Sequence, residues 1–102
     1  MGKLTINQKK EKHKLTAELI GRVDVMTAPQ FETEVNSSLE DVTDLVLDFK
    51  QLEYISSAGL RVVTGLQKVM SSRKGKLTIC SPAENIMDIF TATGLVDFLN
   101  IV

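Results

Sequence analysis

Leu45-Val46-Leu47-Asp48-Phe49 is the stretch that decides the fold class. It is short and almost continuously apolar, as expected for a central strand covered on both faces. On either side of it the spacing of apolar residues changes to three and four. Upstream, Ala28, Phe31, Val35, Leu39 and Val42 line one face of a helix. Thr27 reads as the N-cap of that helix, with Gln30 completing a capping box and Pro29 tolerated in the first turn. Downstream, Leu60, Val63, Leu66, Gln67 and Met70 resume helical spacing. This second helix should stop near Lys74, with Arg73 and Lys74 at its negative end and Gly75 as a left-handed cap.

Further out, Leu4 and Ile6, then Leu15, Ala17 and Leu19, keep a period of two. They predict an antiparallel hairpin over about residues 3–20, ending at Gly21. The charged run Lys9-Lys10-Glu11-Lys12-His13-Lys14 reads as its solvated turn. On the other side, Leu77-Thr78-Ile79-Cys80 predicts another strand. Ser81-Pro82-Ala83-Glu84 then looks like a complete helix start, with cap, proline and first-turn glutamate. Ile86, Ile89 and Phe90 should face inward, and Gly94 should end the helix. The tail from Val96 to Val102 suits an edge strand or a docked segment.

The expected order is β-β-α-β-α-β-α plus a tail. Right-handed crossovers from 15 to 49 and from 45 to 80 predict an α/β fold. Its mixed sheet would have four to five strands and three or more packed helices. Ligands and partners tend to meet such sheets at the carboxyl ends of their strands. That rule points to the loops after Leu19, Phe49 and Cys80.

Composition excludes several functions. The chain has 102 residues, 43% apolar and 25% charged, enough for one modest core. A net charge of −1 argues against non-specific nucleic-acid binding. No apolar run exceeds the three residues Leu45-Val46-Leu47, so membrane insertion is not expected. The start, Met1-Gly2-Lys3-Leu4-Thr5, has no secretory-signal core, and the single Cys80 fits a reducing compartment; the expectation is a cytoplasmic protein. Cys80 should be buried and inert, and Met26, Met70 and Met87 should fill the core or its rim. One cysteine and one histidine make no usual zinc site. His13 belongs to the hairpin and no G-x-S-x-G elbow exists, so no hydrolase triad is expected. No glycine-rich phosphate loop is present, and no cofactor is implied.

The loop after the central strand reads Lys50-Gln51-Leu52-Glu53-Tyr54-Ile55-Ser56-Ser57-Ala58-Gly59-Leu60-Arg61. Ser57 is placed to cap the second helix, accepting from the Gly59 or Leu60 N–H. A helix start tolerates a phosphate, and Gly59 permits another backbone to come close. The bland alternative is that Ser57 is only a cap.

Gly21-Arg22-Val23-Asp24, then Thr27-Ala28, then Asp48-Phe49 with Tyr54-Ile55-Ser56-Ser57-Ala58-Gly59-Leu60, resembles the STAS domain of bacterial anti-sigma factor antagonists. Thr93-Gly94-Leu95 is similar to the closing motif of that family. The resemblance covers essentially the whole chain, so residues 1–102 are read as one STAS domain. It implies that Ser57 is the serine phosphorylated by a partner that is both anti-sigma factor and serine kinase, and that a serine phosphatase reverses this. The family pattern has Asp where this chain has Ser56, and a second hydroxyl residue where it has Ala58. Ser56 therefore becomes a competing acceptor, and a carboxylate available for kinase contact is missing. Asp24 is carried over as lining the same surface; its alternative is a loop carboxylate bonding nearby N–H groups. Ser56, Ser57, Ala58, Gly59 and Arg61 complete the expected partner face.

The leading expectation is thus a phosphorylation-switched binding module. It would sequester an anti-sigma factor kinase and free a sigma factor for transcription. A second keeps the fold without the switch: a scaffold subunit of a stress-signalling complex or a lipid-transport ABC system. An enzyme or nucleotide-binding protein is the third, and the lack of a catalytic constellation argues against it.

Overall fold

A hairpin opens the computed structural model, which describes residues 3–102. Strand β1, Leu4–Glu11, pairs antiparallel with β2, Lys14–Val23, from Leu4↔Gly21 to Glu11↔Lys14. The turn is only Lys12-His13, with Lys12 at a φ of 55°. The charged run expected to be a turn is therefore mostly strand. Lysines on an edge strand stay in water and discourage pairing with another chain, so a long turn is not needed. At its other end β2 runs past Gly21 to Val23, through a register shift at Gly21/Arg22. Gly21 makes this possible: its φ is 108°, and a Cβ there would overlap the Lys3 carbonyl oxygen.

Helix α1, Ala28–Asn36, is shorter than its apolar spacing predicted. Ser37 Oγ donates to the Thr33 carbonyl, and Asp41 takes a φ of 62°, so the chain leaves the helix early. Leu39 and Val42 are still buried, but from a loop. The Arg73 guanidinium donates to the Leu39 and Val42 carbonyls and satisfies that loop. The capping box is also absent. Thr27 makes no side-chain cap bond, and Gln30 Nε2 instead donates to the Leu4 carbonyl at 3.1 Å.

Strand β3, Asp44–Asp48, lies parallel to β2 and to β5, Lys76–Cys80. Leu15, Leu45 and Leu77 form one lateral row of the core, and Ala17, Leu47 and Ile79 the next. Only this face of β3 is fully buried; Asp44, Val46 and Asp48 are half-buried on the other, so the strand is not covered on both sides. Unexpectedly, Leu52–Ile55 forms a further strand, β4, which pairs in parallel with the end of β2. Helix α2, Ser57–Ser72, follows it and buries Gly59, Val62, Val63, Leu66 and Met70. The left-handed residue after α2 is Lys74, at a φ of 57°, not Gly75. Gly75 serves a different need, because a Cβ there would overlap the Thr43 carbonyl.

Helix α3, Glu84–Thr93, has Ala83 as its N-cap rather than Ser81. Ser81 instead takes a φ of 55° and donates its N–H to the Val102 carbonyl, which carries the chain past the sheet edge. Ile86 and Phe90 are buried, Ile89 is half-buried, and Phe90 stacks on Phe49 at 6.4 Å between centroids. Gly94 ends the helix as expected, at a φ of 79°. A 3-10 turn at Leu95–Asp97 leads to β6, Asn100–Ile101, which pairs in parallel with β5. Among the described residues the mixed sheet has six strands in the order β1-β2-β3-β5-β6, with β4 beside the end of β2. The α/β class holds; the tail takes the edge-strand alternative, and the strand beyond the four to five expected is β4.

Candidate functional site

Strands β2 and β4 are parallel neighbours, with Val23 opposite Ile55 and Arg22 opposite Tyr54. Loops leaving parallel neighbours emerge at one edge of the sheet. Asp24 and Ser57 therefore share an edge, although the strand leading to Ser57 is β4 and not the one before Phe49. The Ser56 N–H donates to the Val23 carbonyl at 2.8 Å and ties the two exits together.

That bond also settles which serine caps α2. Ser56 is held extended, at φ −90° and ψ 175°, so helical backbone begins only at the next residue. Its Oγ accepts from the Gly59 N–H at 3.3 Å. Ser56 is the N-cap, one position before the residue expected, because β4 carries extended structure up to Ile55. Ser57 is the first helical residue, and its hydroxyl is exposed and without a hydrogen-bond partner among the described residues. Gly59 is buried beneath it. A Cβ there would stand 2.6 Å from both Val23 Cγ1 and Ile55 Cγ1, so the close approach is to two side chains rather than a backbone.

Asp24 organises the loop after β2. Its Oδ1 accepts from the N–H groups of Met26 at 2.9 Å and Thr27 at 3.0 Å. Thr27 Oγ1 accepts from the Asp24 N–H and donates to the Arg22 carbonyl, each at 2.9 Å. The Thr27 N–H, with smaller help from Met26, the Thr27 hydroxyl and the Arg22 charge, holds the Asp24 carboxyl below its ordinary range despite some desolvation. Asp24 thus has the loop-carboxylate role, and it does so on the same edge as Ser57.

The locked loop pushes Val25 and Met26 outward, 71% and 80% exposed. Met26 is therefore not core filler, while Met70 is fully buried and Met87 half-buried. Between α1 and α2 a groove of about 210 Å³ is lined by Val25, Ala28, Glu32, Ala58 and Arg61, among others. Arg61 is exposed and makes no ion pair within 4.0 Å among the described residues. Beside this edge the Arg22 guanidinium lies 4.5 Å over the Tyr54 ring.

The structure thus brings Asp24 and the start of α2 to one edge of the sheet, and of the expected residues Ala58 and Arg61 line the groove there. It leaves His13 at the opposite end of β2, with Nδ1 2.9 Å from the Asp41 carbonyl oxygen. Cys80 is half-buried, not buried, with Sγ 3.5 Å from Ser81 Oγ. Sequence reasoning missed the Val25-Met26 pair and the Arg22–Tyr54 stack. The available signal was an apolar pair inside a polar turn with no periodic partner. No described helix is long and apolar enough to cross a membrane.

An α/β sheet carrying a capping serine and an Asp-organised loop on one edge is the arrangement that the sequence resemblance to STAS domains implies. The profile of that family matches residues 5–102, and the chain belongs to it. It is 26% identical to the anti-sigma-B factor antagonist of Bacillus subtilis strain 168 over 98 residues, covering 96% of this chain and 90% of that one. A protein of Bordetella bronchiseptica named as an anti-sigma factor antagonist, BtrV, is 36% identical over 81 residues, 78% of this chain and 70% of that one. In fold, the anti-sigma factor antagonist SpoIIAA in its unphosphorylated form superposes with a TM-score of 0.83 at 17% identity, covering 96% of this chain and 88% of that one. SpoIIAA from Bacillus is also known in a phosphorylated form, with a TM-score of 0.76, 17% identity and coverage of 96% and 91%.

Proposed function

We propose that this protein is an anti-sigma factor antagonist whose binding is switched by phosphorylation of Ser57. The observation that carries the reading is the division of labour between the two serines: Ser56 Oγ is engaged as a cap, while Ser57 Oγ is exposed and unengaged. A kinase can reach Ser57 without undoing the start of α2. The names of the relatives support the partner class, an anti-sigma factor. In this reading the partner also carries the serine kinase, and a serine phosphatase restores the binding form.

Unmodified, the protein offers Val25 and Met26 as apolar contacts, with Ala58 and Arg61 across the groove. Binding there occupies the anti-sigma factor and frees the sigma factor. Phosphorylation adds about −1.5 to −2 charges at the centre of that face. Desolvating such charge costs several kcal/mol per ion. A loss of ~3–4 kcal/mol weakens binding by roughly 150- to 700-fold. The negative charge sits at the favourable end of α2, so the fold survives while the interface does not.

Affinity capture from the native cytoplasm, with phosphosite mapping of the captured chain, tests this. The expected result is an ATPase-type anti-sigma factor retained by the unmodified chain, and phosphate on Ser57 in the unretained fraction. Capture that is indifferent to Ser57 phosphate would favour the scaffold reading instead.

A further inference from the structure

Arg61 stands four residues after Ser57, one helical turn on, and both side chains are exposed. Side chains so spaced have Cβ atoms about 5–6 Å apart. Each Cα–Cβ bond in a helix leans toward the N-terminus, so Arg61 extends over the turn that Ser57 opens. Its guanidinium is not committed elsewhere: the ion pair found among the described residues is Lys9–Glu11, on the hairpin. Two carboxylates flank this surface. Glu32 lines the groove with Arg61 but lies beyond ion-pair distance, and Asp24 Oδ1 is already engaged by two backbone N–H groups.

Resting on the switch reading above, we infer that Arg61 is the internal receptor for a phosphoryl group on Ser57. A planar guanidinium meets two phosphate oxygens with a rigid pair of parallel N–H donors, where a lysine acts as a point charge. Before modification Arg61 is free to meet an acidic group of the partner. After modification it folds back onto its own helix. Phosphorylation then acts twice, adding an anion to the face and withdrawing the cation that served it. The release is sharper than charge addition alone would give. Arg61 is a positioning residue for the switch.

The test uses the full chain with phosphoserine installed at position 57, as wild type, Arg61→Gln and Arg61→Lys. All three share the same helix end, so their differences isolate residue 61. Phosphorus NMR titration should give a second phosphate pKa about 0.3–0.7 units lower in the wild type than in Arg61→Gln. That is roughly a two- to fivefold change in proton affinity. Arg61→Lys should fall between them, and the difference should shrink in about 1 M salt. Equal phosphate titration in wild type and Arg61→Gln, with the Arg61 Nε resonance unmoved by the phosphate, would overturn the inference. Failure of the switch reading is a separate result: the phosphoserine-57 chain would bind the anti-sigma partner as tightly as the unmodified chain, whatever its phosphorus titration shows.

Discussion

Ser56 and Ser57 carry the same hydroxyl one position apart, and backbone geometry separates what each can do. Ser56→Ala removes the bond to the Gly59 N–H and should destabilise the fold by about 0.5–2 kcal/mol, toward the lower end because the bond is 3.3 Å long. Ser57→Ala removes no cap and should change stability by less than about 0.5 kcal/mol while preserving partner binding. Ser57→Asp should add ~0.3–1 kcal/mol of stability at the helix start yet bind poorly. Thermal melts beside calorimetric titration with the anti-sigma partner read both quantities. Asp24 gives a second prediction, in pH. Its carboxyl is held below the ordinary range, chiefly by the Thr27 N–H. The stabilisation is therefore present above the unfolded value, near pH 4, and is lost as pH falls through the lower folded value. Asp24→Asn should flatten the acid limb of the stability profile below about pH 4, measured by urea melts from pH 2 to 7.

At the scale of elements, the parts legible in the sequence were those whose signal is local. The apolar run at 45–49 and the glycine stop at Gly94 became β3 and the end of α3. Strand β4 was not legible, because four residues containing Glu53 show no pattern of their own and are extended only through pairing with β2. The N-cap lies one residue before the position the pattern predicts for the same reason: without β4, nothing marks Ser56 as the last extended position. The apolar spacing predicts a longer α1 than forms, because Leu39 and Val42 fall at helical spacing yet reach the core from a loop held by Arg73, a contact 31 to 34 residues away. The junction of β2, β4 and α2 also supplies a test. In Gly59→Ala the new methyl would press on Val23 and Ile55, both buried. Overpacking costs about 1–3 kcal/mol, partly offset by ~1 kcal/mol of helix propensity. The net loss in denaturant melts should be up to about 2 kcal/mol. The variant should also bind its partner more weakly, because the two displaced side chains hold the exits toward Asp24 and Ser57.

Across the whole molecule, β2 separates two chemistries. Its first residue, Lys14, belongs to a lysine-rich hairpin end, and its last, Val23, opens onto the site. Nine steps of about 3.3 Å put roughly 30 Å between them, several screening lengths at physiological salt. The hairpin charges therefore bear little on the face around Ser57. The same strand is shared unequally. Its first half pairs with β3 over five residues inside the core, while its end meets β4 at only three positions, interrupted by the register shift. Breaking the second pairing leaves the first intact, so the protein has two opening energies along a single strand. Amide hydrogen exchange should sort accordingly: amides of β3 protected to the level of global unfolding, and the Ser56 amide, bonded to Val23, released by a cheaper local opening. A bound partner would close that gap and slow Ser56 selectively, which makes one backbone proton a clock for occupancy of the site.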